Sequence, residues 1–253
     1  MGAMAGTRNA PSTSERRAAA RTAVVWDDLV PLLERTDGPL DVLDIGGGTG
    51  GSAVRVAGLG HRVTVVDPSP DALASLGRRA REAGVEVDAH QGDLGDLVGV
   101  VGTAAEGRGA DLVLCHGVLE HVADPAAALA GLAAVLRPGG TLSLLVAQRH
   151  AAVLARAMAG HFAQAKDLLG PVSGDPGRTG HRYTADELVD LVGAAGLEVV
   201  SVHGVRVFAD LVPSHLLELE TGSTAALVEL ERAVADRPEY LPLATQLHLL
   251  ARG

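Results

Sequence analysis

The residues most able to do chemistry are Asp44-Ile45-Gly46-Gly47-Gly48-Thr49-Gly50-Gly51. They follow the short apolar run Val42-Leu43-Asp44-Ile45 and precede a helical pattern carrying Ala53, Val54, Val56 and Ala57. Glycines between a strand and a helix let the backbone turn tightly, and they let a ligand approach without striking a Cβ. The run satisfies two patterns at once. Gly46, Gly48 and Gly51 fit the G-x-G-x-x-G of dinucleotide binding, and Gly46, Gly48 and Gly50 fit the G-x-G-x-G of S-adenosylmethionine binding. Asp67 closes the next apolar run, Arg62 to Val66. An acid about 20 residues beyond such a turn can accept hydrogen bonds from both ribose hydroxyls of either ligand.

Further features separate the two cofactors. Asp44 lies just before the first glycine, where a carboxylate can orient the loop. Gly92-Asp93-Leu94 follows the third strand pattern, where a carboxylate can accept from an adenine amine. His116-Gly117-Val118-Leu119-Glu120-His121 follows the fourth, and Leu136-Arg137-Pro138-Gly139-Gly140 precedes the fifth. A nicotinamide oxidoreductase, the weakest alternative, has no use for this set in this order. Together the segments resemble class I S-adenosylmethionine-dependent methyltransferases, which implies S-adenosyl-L-methionine as cofactor and S-adenosyl-L-homocysteine as product.

The resemblance narrows along nearly the whole chain, from about Arg16 to Arg252. Arg21 to Leu29, Val118 to Pro125, Ala159 to Phe162, Gly204 to Phe208, Val228 to Glu231 and the ending around Leu243 and His248 are similar to the tRNA 5-carboxymethoxyuridine methyltransferase family. That family esterifies the carboxylate of a modified uridine at the tRNA wobble position. The resemblance implies cofactor contacts from Arg21, Gly46, Gly47, Asp67, Gly92, Asp93 and His116; Asp44, Gly48, Gly50, Pro68 and Leu94 complete the expected cofactor set. The chain departs from the family on the acceptor side. His121 stands where the family has Trp, Val146-Ala147-Gln148 replaces a Phe-Tyr-Asn run, and Asp167 to Ser173 replaces a lysine-rich stretch.

The acceptor therefore stays open between tRNA and a small metabolite or natural product. A carboxylate is ionised at neutral pH and needs no general base, but it needs a cation to hold it. Arg149, Arg178, Arg182 and Arg206 are the candidates. A hydroxyl acceptor needs a base, for which His121, His150 and His181 are the candidates. The spacing of His116 and His121 is not that of helical metal pairs, and no cysteine or carboxylate cluster joins them, so no metal is expected. Residues 148–182 carry four Arg and one Lys against two Asp, whereas 210–237 carry four Glu and two Asp against two Arg. Only the first stretch could meet phosphates.

These residues need a scaffold. Apolar runs at 42–45, 62–67, 84–89, 111–115, 141–146, 197–208 and 243–251 alternate with helical patterns at 70–83, 125–136 and 185–195. Strands apolar throughout, separated by helices, predict a mostly parallel sheet covered on both faces. The expected fold class is α/β: a Rossmann-like seven-stranded sheet with an antiparallel last strand and helical lid insertions at about 148–182 and 211–238. Residues 1–13 form an expected disordered tail, and 14–253 one methyltransferase domain. Ser14 can cap a first helix, which Pro31 bends and Asp37-Gly38-Pro39 ends.

Composition bounds the rest. With 47% hydrophobic but only 2% aromatic residues, the core must be built from Ala, Val and Leu. A net charge of −10 excludes a protein that coats nucleic acid through global charge. The lone Cys115 excludes a disulfide framework and fits a cytoplasmic location, and no apolar run is long enough to span a membrane. A third reading stays open: a protein that binds S-adenosylmethionine without catalysis.

Overall fold

The structure, a computed structural model, describes residues 13–34, 38–94, 109–170, 177, 180–213 and 222–253, with side chains from Ala23 onward. Seven strands form one sheet: β1 (Asp41–Ile45), β2 (Arg62–Asp67), β3 (Asp88–Gln91), β4 (Ala110–His116), β5 (Leu136–Ala147), β6 (Glu198–Val205) and β7 (Gln246–Arg252). Their order is β3-β2-β1-β4-β5-β7-β6. The first five pair in parallel, and β7 runs antiparallel to both β5 and β6. This is the expected Rossmann-like α/β sheet with its antiparallel last strand.

The described helices are α1 (Thr13–Glu34), α2 (Gly51–Gly58), α3 (Pro70–Ala83), α4 (Pro125–Val135), α5 (Arg149–Met158), α6 (Phe162–Asp167), α7 (Ala185–Ala194) and α8 (Ser223–Val234). Strand side chains alternate between faces, and the two faces pack against different helices. Val42, Val65, Leu112, Leu114, Leu145 and Leu250 meet Val24, Val25, Leu29 and Leu33 of α1 with Ala53, Val56 and Leu76 of α2 and α3. On the other face Leu43, Ile45, Val113, Leu142, Leu144 and Leu249 meet Leu129 and Leu132 of α4 and Leu188 and Val192 of α7. α1 continues through Pro31 to Glu34.

Several boundaries differ from the sequence expectation for local reasons. The third strand begins at Asp88 rather than Gly84, because Gly84 closes α3 at φ +69°, its N–H donating to the Arg81 carbonyl and the Val85 N–H to the Ala80 carbonyl. The sixth strand stops at Val205 instead of Phe208, since Arg206 turns the chain at φ +61°. The last strand starts at Gln246 rather than Leu243, because Leu241–Leu243 form a 3-10 turn built around Pro242. Within 148–182 lie α5 and α6; within 211–238 lies α8. Glu231 of α8, fully buried, accepts the N–H groups of Val207, Phe208 and Ala209 at 2.7–2.9 Å, which fixes the turn after β6.

Candidate cofactor and acceptor site

The order β3-β2-β1-β4-β5 reverses direction between β1 and β4, and open parallel sheets bind ligands beyond the strand ends at such a point. The glycine turn leaves β1 there. Gly46, Gly48 and Gly50 take φ of +65°, +53° and +78°, which a side chain rarely allows. A Cβ on Gly46 would stand 2.3 Å from Val118 Cγ2, and one on Gly50 2.1 Å from Leu76 Cδ1. The loop is therefore both conformationally and sterically committed to glycine.

Two carboxylates flank this turn. Asp67, at the end of β2, accepts the Gly48 N–H at 2.9 Å on one oxygen and the Ser69 N–H at 2.9 Å on the other. Each oxygen keeps a further lone pair for a ligand hydroxyl. Asp44 is almost fully buried, and its Oδ2 has no hydrogen-bond partner among the described residues. Burial, then the nearby Asp67 charge, push its carboxyl up to about 7. A buried acceptor left unsatisfied beside a glycine cradle marks a place where a polar ligand completes the site.

A cavity of about 490 Å³ opens at this edge, lined by Val25 and Trp26 of α1, Asp44, Gly46, Gly47, Gly51, Ser52, Arg55, His116 and Leu145. Trp26 stacks beneath the Arg55 guanidinium, 3.8 Å from the ring centroid. A cavity of equal volume at the opposite strand ends, around Asp41, His61 and Arg62, lies at the wrong edge of a parallel sheet for such a ligand. Gly92 donates to the Asp67 carbonyl at 3.3 Å, which brings Gly92, Asp93 and Leu94 beside Asp67 and Pro68. Of the expected cofactor residues, all but Arg21 are thus gathered along the ends of β1 to β4. Arg21 lies in α1, and its side chain is outside the described residues. The cradle, the orphan Asp44 oxygen and the ribose-spaced Asp67 fit S-adenosylmethionine.

The acceptor candidates are scattered by comparison. Arg149 is buried, paired with Glu187 at 2.7 Å and donating to the Arg182 carbonyl at 3.0 Å. Arg206 pairs with Asp210 at 2.5 Å. His121 and His150 are exposed. His181 is buried with Nε2 unpartnered among the described residues, and it sits edge-on to Tyr183. Arg178 is outside the described residues. Arg182 is half-buried beside Arg156 and Glu120; burial, then the Arg156 charge, lower its pKa. Glu120 accepts the Ala147 N–H at 2.8 Å, and burial raises its pKa.

Sequence reasoning missed one arrangement altogether. His116 Nε2 lies 2.9 Å from Ser143 Oγ, and Ser143 Oγ lies 2.8 Å from His248 Nε2. His248 Nδ1 and His203 Nδ1 then share Asp28 Oδ2 at 2.9 and 2.6 Å. Ligand-capable atoms of Asp28, His203 and His248 all fall within 4.8 Å, but the single Asp28 oxygen stands at hydrogen-bond distance from both rings. The signal was available in Ser143: a hydroxyl inside the apolar run Thr141 to Val146 must have a partner.

A methyltransferase domain family matches residues 15–202. The tRNA 5-carboxymethoxyuridine methyltransferase of Escherichia coli (strain K12) is 32% identical over 246 residues, covering 92% of this chain and 87% of that one. The ubiquinone biosynthesis O-methyltransferase of Xanthomonas axonopodis pv. citri is 38% identical over 120 residues, covering 47% of this chain and 48% of that protein. Among solved structures, magnesium protoporphyrin IX methyltransferase from Synechocystis PCC 6803 with bound S-adenosylhomocysteine superposes with a TM-score of 0.63. It covers 98% of this chain and 90% of that one at 16% identity.

Proposed function

This chain belongs to the class I S-adenosylmethionine-dependent methyltransferases, and we propose that it esterifies a carboxylate, that of a modified uridine at the tRNA wobble position. The observation that carries the reading is the extent of the likeness. The Escherichia coli relative matches over 92% of the chain, whereas the ubiquinone relative matches only about half of it. Bound S-adenosylmethionine supplies an electrophilic methyl group on a sulfonium sulfur. A carboxylate oxygen takes that methyl and the sulfur keeps the bonding pair, leaving a neutral ester and S-adenosylhomocysteine with no proton transferred. No general base is required, in keeping with the exposure of His121 and His150.

The work of the protein is alignment. Gly46, Gly47 and Gly48 let the backbone approach the cofactor, Asp67 accepts from ribose, Asp93 accepts from adenine, and Val25 with Trp26 covers the pocket. A held near-attack geometry contributes on the order of 7–11 kcal/mol of barrier lowering. Arg182, half-buried beside Arg156 and Glu120, is the cation that this reading assigns to hold an anionic acceptor.

A small metabolite or natural product, methylated on oxygen or nitrogen, is the second reading. It is favoured by the net charge of −10 and by the commitment of Arg149 and Arg206 to ion pairs. The test is methyl-labelled S-adenosylmethionine with tRNA and a small-molecule extract from cells lacking the protein. Label in tRNA that mild alkali releases supports the wobble carboxylate. Label confined to the extract replaces it with the metabolite reading, and label in neither fraction leaves a binding protein.

A further inference from the structure

The polar seam from His116 to Asp28 crosses the sheet face that α1 covers. His116, Ser143, His248 and His203 lie on β4, β5, β7 and β6, adjacent in that order. Leu145 pairs with both His116 and His248, Ser143 lies two residues before it, and His203 pairs with His248. Their side chains therefore share the face that α1 covers, and Asp28 of α1 reaches down to the end of the row. Ser143 and His248 are fully buried.

Each member of the row can be assigned as donor or acceptor. Asp28 is a carboxylate: burial would raise its pKa, but hydrogen bonds from His203 and His248 hold it at about 2. A carboxylate only accepts, so both Nδ1 atoms carry protons. Asp28 raises the pKa of His203 against the effect of burial, with the Asp236 charge adding to it. Ser143 Oγ stands between two ring nitrogens and has one hydrogen to give. His248 is fully buried and already donates Nδ1–H to Asp28, so the hydroxyl donates to His248 Nε2, which leaves Ser143 Oγ to accept from His116 Nε2.

We propose that Asp28, His248 and Ser143 are positioning residues for the cofactor site: in series they hold a proton on His116 Nε2 and tie that ring to α1, a helix that also lines the pocket. The claim deepens the reading of this cavity as the S-adenosylmethionine site and rests on it. His116 lines one side of the cavity, while Val25 and Trp26 of α1 line another. Asp28 is two residues beyond Trp26 on that helix, so docking of α1 and the proton on His116 are set by one hydrogen-bonded row.

Nitrogen NMR of protein labelled on its histidine rings, with His116 identified by the His116→Gln variant, reads the assignment in the free protein. The expected form has a protonated Nε2 on His116 and a protonated Nδ1 on His248. Asp28→Ala should release His248 and shift the His116 Nε2 signal, although the substitution lies three hydrogen bonds away. Ser143→Ala tests the row without touching α1. Each variant should weaken S-adenosylhomocysteine binding about tenfold by calorimetry, the size of one lost hydrogen bond. The double variant should weaken it little further, because both break one series.

A purely structural Asp28 would leave His116 unchanged in both variants and affinity unchanged in Ser143→Ala, which would overturn the proposal. So would a wild-type His116 with no proton on Nε2, or a stoichiometric metal retained on His203 and His248. If instead His116 shows the assigned form but its signals ignore saturating S-adenosylhomocysteine, the reading of the cavity as the cofactor site is overturned, and the row's service to the cofactor with it. The reversed tautomer with responsive signals would overturn the row alone.

Discussion

Gly47 and Asp44 stand so close that a methyl group would not fit between them: a Cβ built on Gly47 lies 2.7 Å from Asp44 Oδ2 and 2.9 Å from Val65 Cγ1. The glycine is needed by the carboxylate as much as by the ligand. Gly47→Ala should therefore displace Asp44 from the pocket floor. The expected outcome is a loss of at least about tenfold in S-adenosylhomocysteine affinity with a stability cost of roughly 1–3 kcal/mol from overpacking. Calorimetric titration and a thermal melt of the same sample check both.

Asp44 itself should oppose stability. Its folded pKa of about 7 lies above its ordinary 3.8, so the burial cost is absent below about pH 4 and grows as pH rises toward 7. At about 1.4 kcal/mol per pH unit, the cost is bounded at roughly 4 kcal/mol. Asp44→Asn should raise Tm at pH 7.5 by several degrees, lose that advantage near pH 4 and weaken cofactor binding. Melts at the two pH values read the first effect. An unchanged Tm at pH 7.5 would argue against a costly buried carboxylate.

His203 gives the opposite dependence. Its folded pKa is raised by Asp28, so its stabilisation is fully present below about pH 6.5 and is lost as pH rises through the folded value. The Asp28 contribution is present above its ordinary value and is lost only as pH falls through about 2. Between pH 6 and 9, wild-type Tm should fall more steeply than that of His203→Gln. Parallel melting curves of the two proteins across that range would refute the coupling.

Arg149 should prove a stability residue. Its guanidinium is held by Glu187, which also closes the N-terminal capping box of α7 with Thr184. Arg149→Ala should cost about 1–2 kcal/mol, less than a fully buried pair because Glu187 is partly exposed. In a methyl-transfer assay its KM for the acceptor should match wild type. Arg182→Ala should do the reverse, raising acceptor KM with little change in Tm.

The parallel core of the sheet and the glycine turn were legible because each rests on contiguous sequence. Val42 to Gly51 specifies strand, turn and helix in one run, Asp67 closes β2, and Asp93 follows two residues after β3. Strand ends were less legible wherever a backbone torsion decided them, as at Arg206, whose positive φ has no signature in an arginine. Arg149 and Arg206 stood out as free cations because their partners, Glu187 and Asp210, carry no mark of pairing. The seam was hidden for a related reason. Asp28, Ser143, His203 and His248 are spread over 220 residues and become neighbours only through strand order.

The clamp that Glu231 places on Val207, Phe208 and Ala209 is a single rivet between two distant stretches of the chain. One carboxylate accepts three backbone N–H groups, so its loss would unfasten the turn after β6 from α8 in one stroke. Each buried N–H left without an acceptor costs about 1–3 kcal/mol, and these three would lose theirs together. The end of β6 is thus held in place by a side chain more than twenty residues further along the chain.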